Sequence, residues 1–227
     1  MRVLLVGHGR MGRLVESLAE SYGAEIAGIV TVESPSDALA SGDFGRVDVA
    51  IDFSLPTAVP VNLPVLAGRG INVVIGTTGW GAHEAELRAR VVECGTGVIA
   101  ASNFSVGMFI FRQALAEAAK RFGAQPEFGA WIHEAHHAAK LDAPSGTAIS
   151  IKASMTSAGY ARAIDVSSTR AGSIPGTHTV GFDGPAESVT FTHEVRDRAV
   201  FAHGALVAAK WIQGRRGWFG IEDLLSS

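Results

Sequence analysis

Arg2 to Val6 is a near-continuous apolar run of strand type, and it ends in Gly7-His8-Gly9-Arg10-Met11-Gly12. Leu14, Val15, Leu18, Ala19 and Tyr22 then recur at helical spacing. Strand, glycine turn and helix in this order constrain the chain more than any other feature. G-x-G-x-x-G carries chemical meaning only in that setting. Gly7 permits the tight turn, Gly9 lets the backbone approach a pyrophosphate, and Gly12 lets helix and strand pack closely. The amides at the helix start then face the phosphates. A plain turn is the competing reading, but the position between strand and helix favours a dinucleotide site lined by Gly7, His8, Gly9, Arg10, Met11 and Gly12.

The next segments keep the alternation. Ala24 to Val32 reads as the second strand, with Glu33 at its end, about 20 residues past the motif, where an acid can hold the adenosine ribose. A solvated loop acid is an equal reading of Glu33. No basic residue stands beside it, which leans towards NAD, while Arg10 keeps NADP open. After a polar connection from Ser34 to Arg46, Val47 to Phe53 is the third strand. Pro56 to Ala67 is apolar enough for a helix that Pro60 and Pro64 should shorten or kink. Ile71 to Ile75 is a strand running into Gly76-Thr77-Thr78-Gly79, Ala82 to Val92 a helix, and Gly97 to Ala101 a strand followed by Ser102-Asn103-Phe104. Small residues and hydroxyls past strand ends suit the crevice of an open α/β sheet, although a plain glycine-rich turn also fits 76–79. Strands and helices in alternation predict a doubly wound parallel sheet.

Charge narrows the partners. A net charge of −3 gives no general attraction to nucleic acid or anionic membranes, so an anion site must be local. The single cysteine, Cys94, excludes an intrachain disulfide and reads as a packed apolar residue in a reducing compartment. The opening M-R-V-L-L-V-G resembles neither a signal peptide nor a spanning helix, so a cytoplasmic location is expected.

From Val106 the pattern changes. Met108, Phe109, Phe111, Ala114, Leu115, Ala118 and Ala119 predict a helix ending near Gly123. Glu127 to His137 fits strand or helix. Thr177 to Phe182 and Ser188 to His193 alternate like exposed strands, which favours an open mixed sheet. Ala199 to Ile212 and Ile221 to Leu225 read as closing helices. The chemistry gathers between Glu134 and Ala148, E-A-H-H-A-A-K-L-D-A-P-S-G-T-A. Two histidines, a lysine and two acids precede Pro144, and Ser145 is a good N-cap for a new helix. The amides of Gly146 and Thr147 would then face an anion. The same tract holds H-E-x-x-H, from His133 to His137, which on a helix is a zinc-protease signature. A dinucleotide motif gives that reading no support, and no metal is expected.

The tract resembles the signature E-x-H-H-x-x-K-x-D-A-P-S-G-T-A of the dihydrodipicolinate reductase family. G-H-G-R-M-G at 7–12, V-D-V-A-I-D-F-S at 47–54, G-T-T-G at 76–79, N-F-S-V-G-M at 103–108, I-P-G-T-H-T-V at 174–180 and F-A-H-G-A at 201–205 agree in order. The resemblance implies a Rossmann-type doubly wound parallel sheet over residues 1–104, completed by about 206–227. It places a central α+β domain with an open mixed sheet at 105–205, which binds substrate and builds a homotetramer. It implies NADH- or NADPH-dependent reduction of a cyclic imine dicarboxylate in lysine and diaminopimelate biosynthesis. His136 matches the family's acid/base and Lys140 its proton donor. His137, Gly146 and Thr147 match substrate contacts, with Ser145 and Arg198 as additions. Gly7 to Gly12, Gly76 to Thr78 and Ala101 to Phe104 match cofactor segments. Ser102 stands where many members have proline, and the connection after the second strand is shorter than in many. Two readings stay open beside this one: a related nicotinamide-dependent reductase with another anionic substrate, and a non-catalytic nucleotide sensor.

Overall fold

The computed structural model describes residues 1–31 and 38–225. It divides into two compact units, one made of Met1–Phe104 and the chain from Ala199 onward, the other of Ser105–Arg198. Residues 199–205, grouped with the central domain from sequence, therefore fold with the first unit.

The first unit begins with β1 (Arg2–Val6), α1 (Arg10–Ala19), β2 (Glu25–Val30) and the short α2 (Ala38–Ser41). It continues with β3 (Val49–Asp52), α3 (Val59–Gly68), β4 (Asn72–Ile75), α4 (Glu84–Cys94) and β5 (Gly97–Ala100). All five strands pair in parallel. Their side chains are apolar on both faces because helices cover both, which is why they read as unbroken apolar runs. Leu4, Val6, Ala50, Val73, Ile75 and Val98 join Leu63 and Leu66 of α3 and Leu87 and Val91 of α4 in one core. Pro60 falls in the first turn of α3, where a missing N–H is tolerated; Pro64 lies inside the helix, which nevertheless runs from Val59 to Gly68. After Ala199 the chain adds α7 (Ala199–Trp211), β10 (Gly217–Phe219) and α8 (Ile221–Leu225), numbered to follow the elements of the second unit. β10 extends the sheet to the order β10-β5-β4-β3-β1-β2. The order reverses between β1 and β3, which is where open α/β sheets offer a ligand crevice. α7 packs closely enough that a Cβ on Gly204 would run into the Phe104 carbonyl oxygen.

The second unit holds α5 (Val106–Gly123), β6 (Gly129–His136), α6 (Gly146–Ser157), β7 (Ile164–Arg170), β8 (Thr177–Asp183) and β9 (Ser188–Glu194). The strands form a mixed sheet in the order β7-β6-β8-β9, with β6 and β7 parallel and the other pairs antiparallel. Met108, Leu115 and Ala119 of α5 and Ala148, Ile151 and Met155 of α6 pack with Ile132, Val180 and Phe182 of the sheet. Of Glu127 to His137, left open from periodicity, Gly129–His136 is strand: Ala130, Ile132, Glu134 and His136 alternate inward. No described helix is long and apolar enough to cross a membrane.

Candidate active site

In the first unit the glycine turn lies at the switch point. Gly7 has φ +90°, and a Cβ there would lie 2.5 Å from the Phe53 carbonyl oxygen at the end of β3. A Cβ on Gly12 would meet the Gly7 carbonyl oxygen. Gly9 differs: it is the N-cap of α1, offers no side-chain cap, and nothing lies within 4 Å of where its Cβ would be. The space beside the N-cap of α1 is therefore open, as the close approach of a pyrophosphate to a helix start requires. His8 Nε2 lies 2.7 Å from Glu16, and Arg10 and Met11 begin the helix. Gly76 packs against the Phe53 ring, so the Gly76-Thr77-Thr78 loop sits directly beside the end of β3.

That loop is tied down by a residue the sequence reading gave no role. Asp52, at the carboxyl end of β3, is buried. Its Oδ1 accepts the Ser54 N–H at 2.8 Å and the Thr77 hydroxyl at 3.0 Å. Burial raises the Asp52 pKa, and these hydrogen bonds oppose the rise. Ala101 donates to the Ile75 carbonyl at 3.1 Å, fixing the start of the 101–104 loop; Ser102 is exposed, Asn103 half-buried and Phe104 buried. Glu33 lies outside the described residues.

In the second unit the tract straddles the end of β6. Strand alternation separates its histidines: His136 faces inward with Glu134, and His137 falls just past the strand, half-buried. His133 points to the other face and contacts the Ser167 hydroxyl at 2.9 Å. H-E-x-x-H therefore has no helix to bring His133, Glu134 and His137 together, and the zinc-protease reading fails on geometry.

Sheet register builds a polar row on the inward face. Glu134 pairs with Ser168 on one side and His178 on the other, and His178 pairs with His193. Arg170 stands opposite His136 on β7. Its guanidinium grips both Glu134 oxygens, at 3.0 and 2.7 Å. The Ser145 N–H reaches Glu134 Oε1 at 3.3 Å, and His136 Nδ1 forms a short hydrogen bond with Oε2. Burial pushes the Glu134 carboxyl up, but Arg170, Ser168 and His136 outweigh it and hold the pKa at about 2. Glu134, His136 and His178 also lie close enough to suggest a cation cluster. The fork of Arg170 already occupies both Glu134 oxygens, so a cation would have to displace a fixed positive charge.

Burial lowers the pKa of His136, with Lys140 and Arg170 adding to the effect and Glu134 opposing it. His178 is depressed to about 4, first by burial and then by His136. It packs edge-on to His136, and its Nε2 lies 3.2 Å from the Ser145 hydroxyl. That hydroxyl caps α6 by accepting the Ala148 N–H at 3.2 Å. Ser145 is itself buried, whereas Gly146 is exposed and Thr147 half-exposed at the helix start. Lys140 Nζ pairs with Asp142 at 2.7 and 3.0 Å. Arg198 is the half-buried last residue of this unit. Sequence reading missed Arg170 and His178 because neither lies in the tract; only the strand register brings them to it.

The row has a consequence for stability. Unfolded, His178 would take up a proton below pH 6.5, which the folded protein refuses until about pH 4. Stability contributed by the neutral ring is therefore present above pH 6.5 and lost as pH falls towards 4, by an amount on the order of 3 kcal/mol. Glu134 adds a second loss as pH falls from 4.5 towards 2. Urea midpoints should fall from pH 7 to pH 5 in the wild type and fall less in His178→Gln. Equal slopes would remove His178 as the cause.

The first unit, with its glycine turn at the switch point of a parallel sheet, defines a Rossmann-type dinucleotide-binding protein; the second adds an α+β unit with a His–Lys–helix constellation. Family models described as dihydrodipicolinate reductase, N-terminus and C-terminus, match residues 1–104 and 107–225. A 4-hydroxy-tetrahydrodipicolinate reductase of Xanthomonas euvesicatoria pv. vesicatoria is 39% identical over 99% of this chain and 98% of its own. One from Christiangramia forsetii is 32% identical over 100% and 98%. The structure of a dipicolinate-bound dihydrodipicolinate reductase from Paenisporosarcina sp. TG-14 has the same fold, with a TM-score of 0.79 at 20% identity over 98% of each chain. The chain belongs to the dihydrodipicolinate reductase family.

Proposed function

We propose that this protein is a 4-hydroxy-tetrahydrodipicolinate reductase, using NADH or NADPH in the route to diaminopimelate and lysine. The observation that carries the site is the junction at Lys140–Thr147, where an ammonium group and an exposed helix N-terminus share one short loop. The substrate is a cyclic imine dicarboxylate. Each carboxylate needs directed donors, and Lys140, His137 and the amides of Gly146 and Thr147 are of the right type. Arg198 is a further candidate carried by the family resemblance. Ser145 supports the site from beneath, as cap and as partner of His178. The Lys140–Asp142 pair is partly exposed, so exchanging Asp142 for a substrate carboxylate costs little.

Gly7 to Gly12, Gly76 to Thr78 and Ala101 to Phe104 would hold the nucleotide, which when bound supplies a hydride for the conjugated double bond. The reduced substrate is an enamine that needs a proton, and His136 or Lys140 delivers it. The depressed pKa keeps much of His136 neutral in the free protein. A bound dianion favours the imidazolium, so substrate binding itself would load the ring with its proton. A homotetramer in the cytoplasm is the assembly and location carried over from the family.

The planar analogue pyridine-2,6-dicarboxylate tests the anion site directly. By titration calorimetry it should bind the wild type and bind Lys140→Ala at least about tenfold more weakly. Equal affinities would remove Lys140 from the anion site.

A further inference from the structure

We propose that Glu134 is a positioning residue. Its carboxylate holds the His136 ring so that Nδ1 carries the proton and Nε2 is the nitrogen offered to substrate. The idea rests on the role of His136 proposed above, but its structural half stands on the free protein alone.

Glu134 is 0% exposed, on a strand face whose other buried residues are Ala130, Ile132 and His136. A buried carboxylate is tolerated only when its lone pairs are filled. Here Arg170 fills two positions, the Ser145 N–H a third and His136 Nδ1 a fourth. Arg170 is fixed in turn by the Asp142 carbonyl at 2.6 Å and the Thr169 carbonyl at 2.8 Å. A guanidinium does not give up its proton, so Glu134 stays ionised and can only accept. Nδ1 of His136 must then be the donor. The other nitrogen has no hydrogen-bond partner among the described residues. It faces Gly176, where an added Cβ would stand 3.2 Å from Nε2. The absent side chain leaves that nitrogen open. One carboxylate thus ties together the His136 ring, the loop through Asp142 and the start of α6 at Ser145.

A purely structural ion pair would also explain the burial of Glu134, so the test needs a readout that fold integrity does not move. Long-range nitrogen–proton NMR on the free wild-type protein, above the titration of His136, should show the Nδ1–H tautomer. An Nε2–H tautomer would overturn the proposal without any substrate being present. Glu134→Gln replaces an obligate acceptor by a group that can also donate, and should release the tautomer preference. Because that change leaves Arg170 buried without its counter-charge, the double variant Glu134→Gln/Arg170→Gln, neutral on both sides, serves as the second test. In both variants kcat for the reduction should fall about 10²-fold or more with KM little changed. A folded double variant with wild-type kcat, or one that keeps the Nδ1–H tautomer, would refute the role. If the wild type shows the tautomer yet reduces no cyclic imine, the functional reading fails and the positioning of His136 stands.

Discussion

Lys140→Ala and His136→Ala should each lower turnover about 10²–10⁴-fold, the usual worth of a positioned proton donor, with nicotinamide nucleotide affinity unchanged. The two residues fail for different reasons. Lys140 touches Asp142 and lies partly exposed, so its removal costs little stability and takes away an ammonium that both attracts a carboxylate and carries a proton. KM should rise along with the fall in kcat. His136 is buried against Glu134 and His178, and its loss leaves a small polar cavity beside a carboxylate still held by Arg170 and Ser145. Urea titration distinguishes a modest loss of stability there from unfolding. The nucleotide residues belong to a separate compact unit, so fluorescence titration with NADH should match the wild type in both variants. Wild-type turnover in either variant would sink the corresponding assignment.

The second large effect separates two glycines of one motif. Gly12→Ala drives a methyl group into the Gly7 carbonyl oxygen, a backbone atom that cannot turn aside. α1 must shift away from the β1 turn, at a cost of about 1–3 kcal/mol, expected near the upper end. Gly9→Ala meets nothing, and its φ of −75° suits any residue. Its effect on stability should be smaller, about 0.5–1 kcal/mol, the difference between glycine and alanine at an N-cap. Its effect on nucleotide affinity should be about tenfold or more, because the new methyl group takes space the phosphates need. Thermal melts and NADH and NADPH titrations on both variants check the contrast. A Gly9→Ala protein that binds both nucleotides like the wild type would mean that the open space at the start of α1 is not the pyrophosphate site.

The first unit was largely legible because a parallel sheet covered on both faces leaves continuous apolar runs between glycine turns. Its misses have simple causes. β10 is only Gly217-Trp218-Phe219, too short to show a period, and α2 is four residues inside a polar connection. In the second unit β6 could not be told from helix because Glu134 and His136 stand at inward positions where an alternating strand would carry apolar residues. β7 was missed because Ser167, Ser168 and Thr169 break its alternation at the edge of the sheet. Losing β7 hid Arg170, and with it the reason Glu134 can be buried. The helix start at Ser145 was readable from local chemistry alone, since an N-cap needs only its own side chain and the following turn.

The central claim is the reaction itself. Substrate generated in place from pyruvate and aspartate semialdehyde by a condensing enzyme, with the oxidation of NADH and of NADPH followed in parallel by absorbance, tests it in one assay. Stoichiometric oxidation of at least one nucleotide, dependent on this protein and slowed about 10²-fold or more in Lys140→Ala, is the expected result. No oxidation of either nucleotide by folded protein that binds them would contradict it.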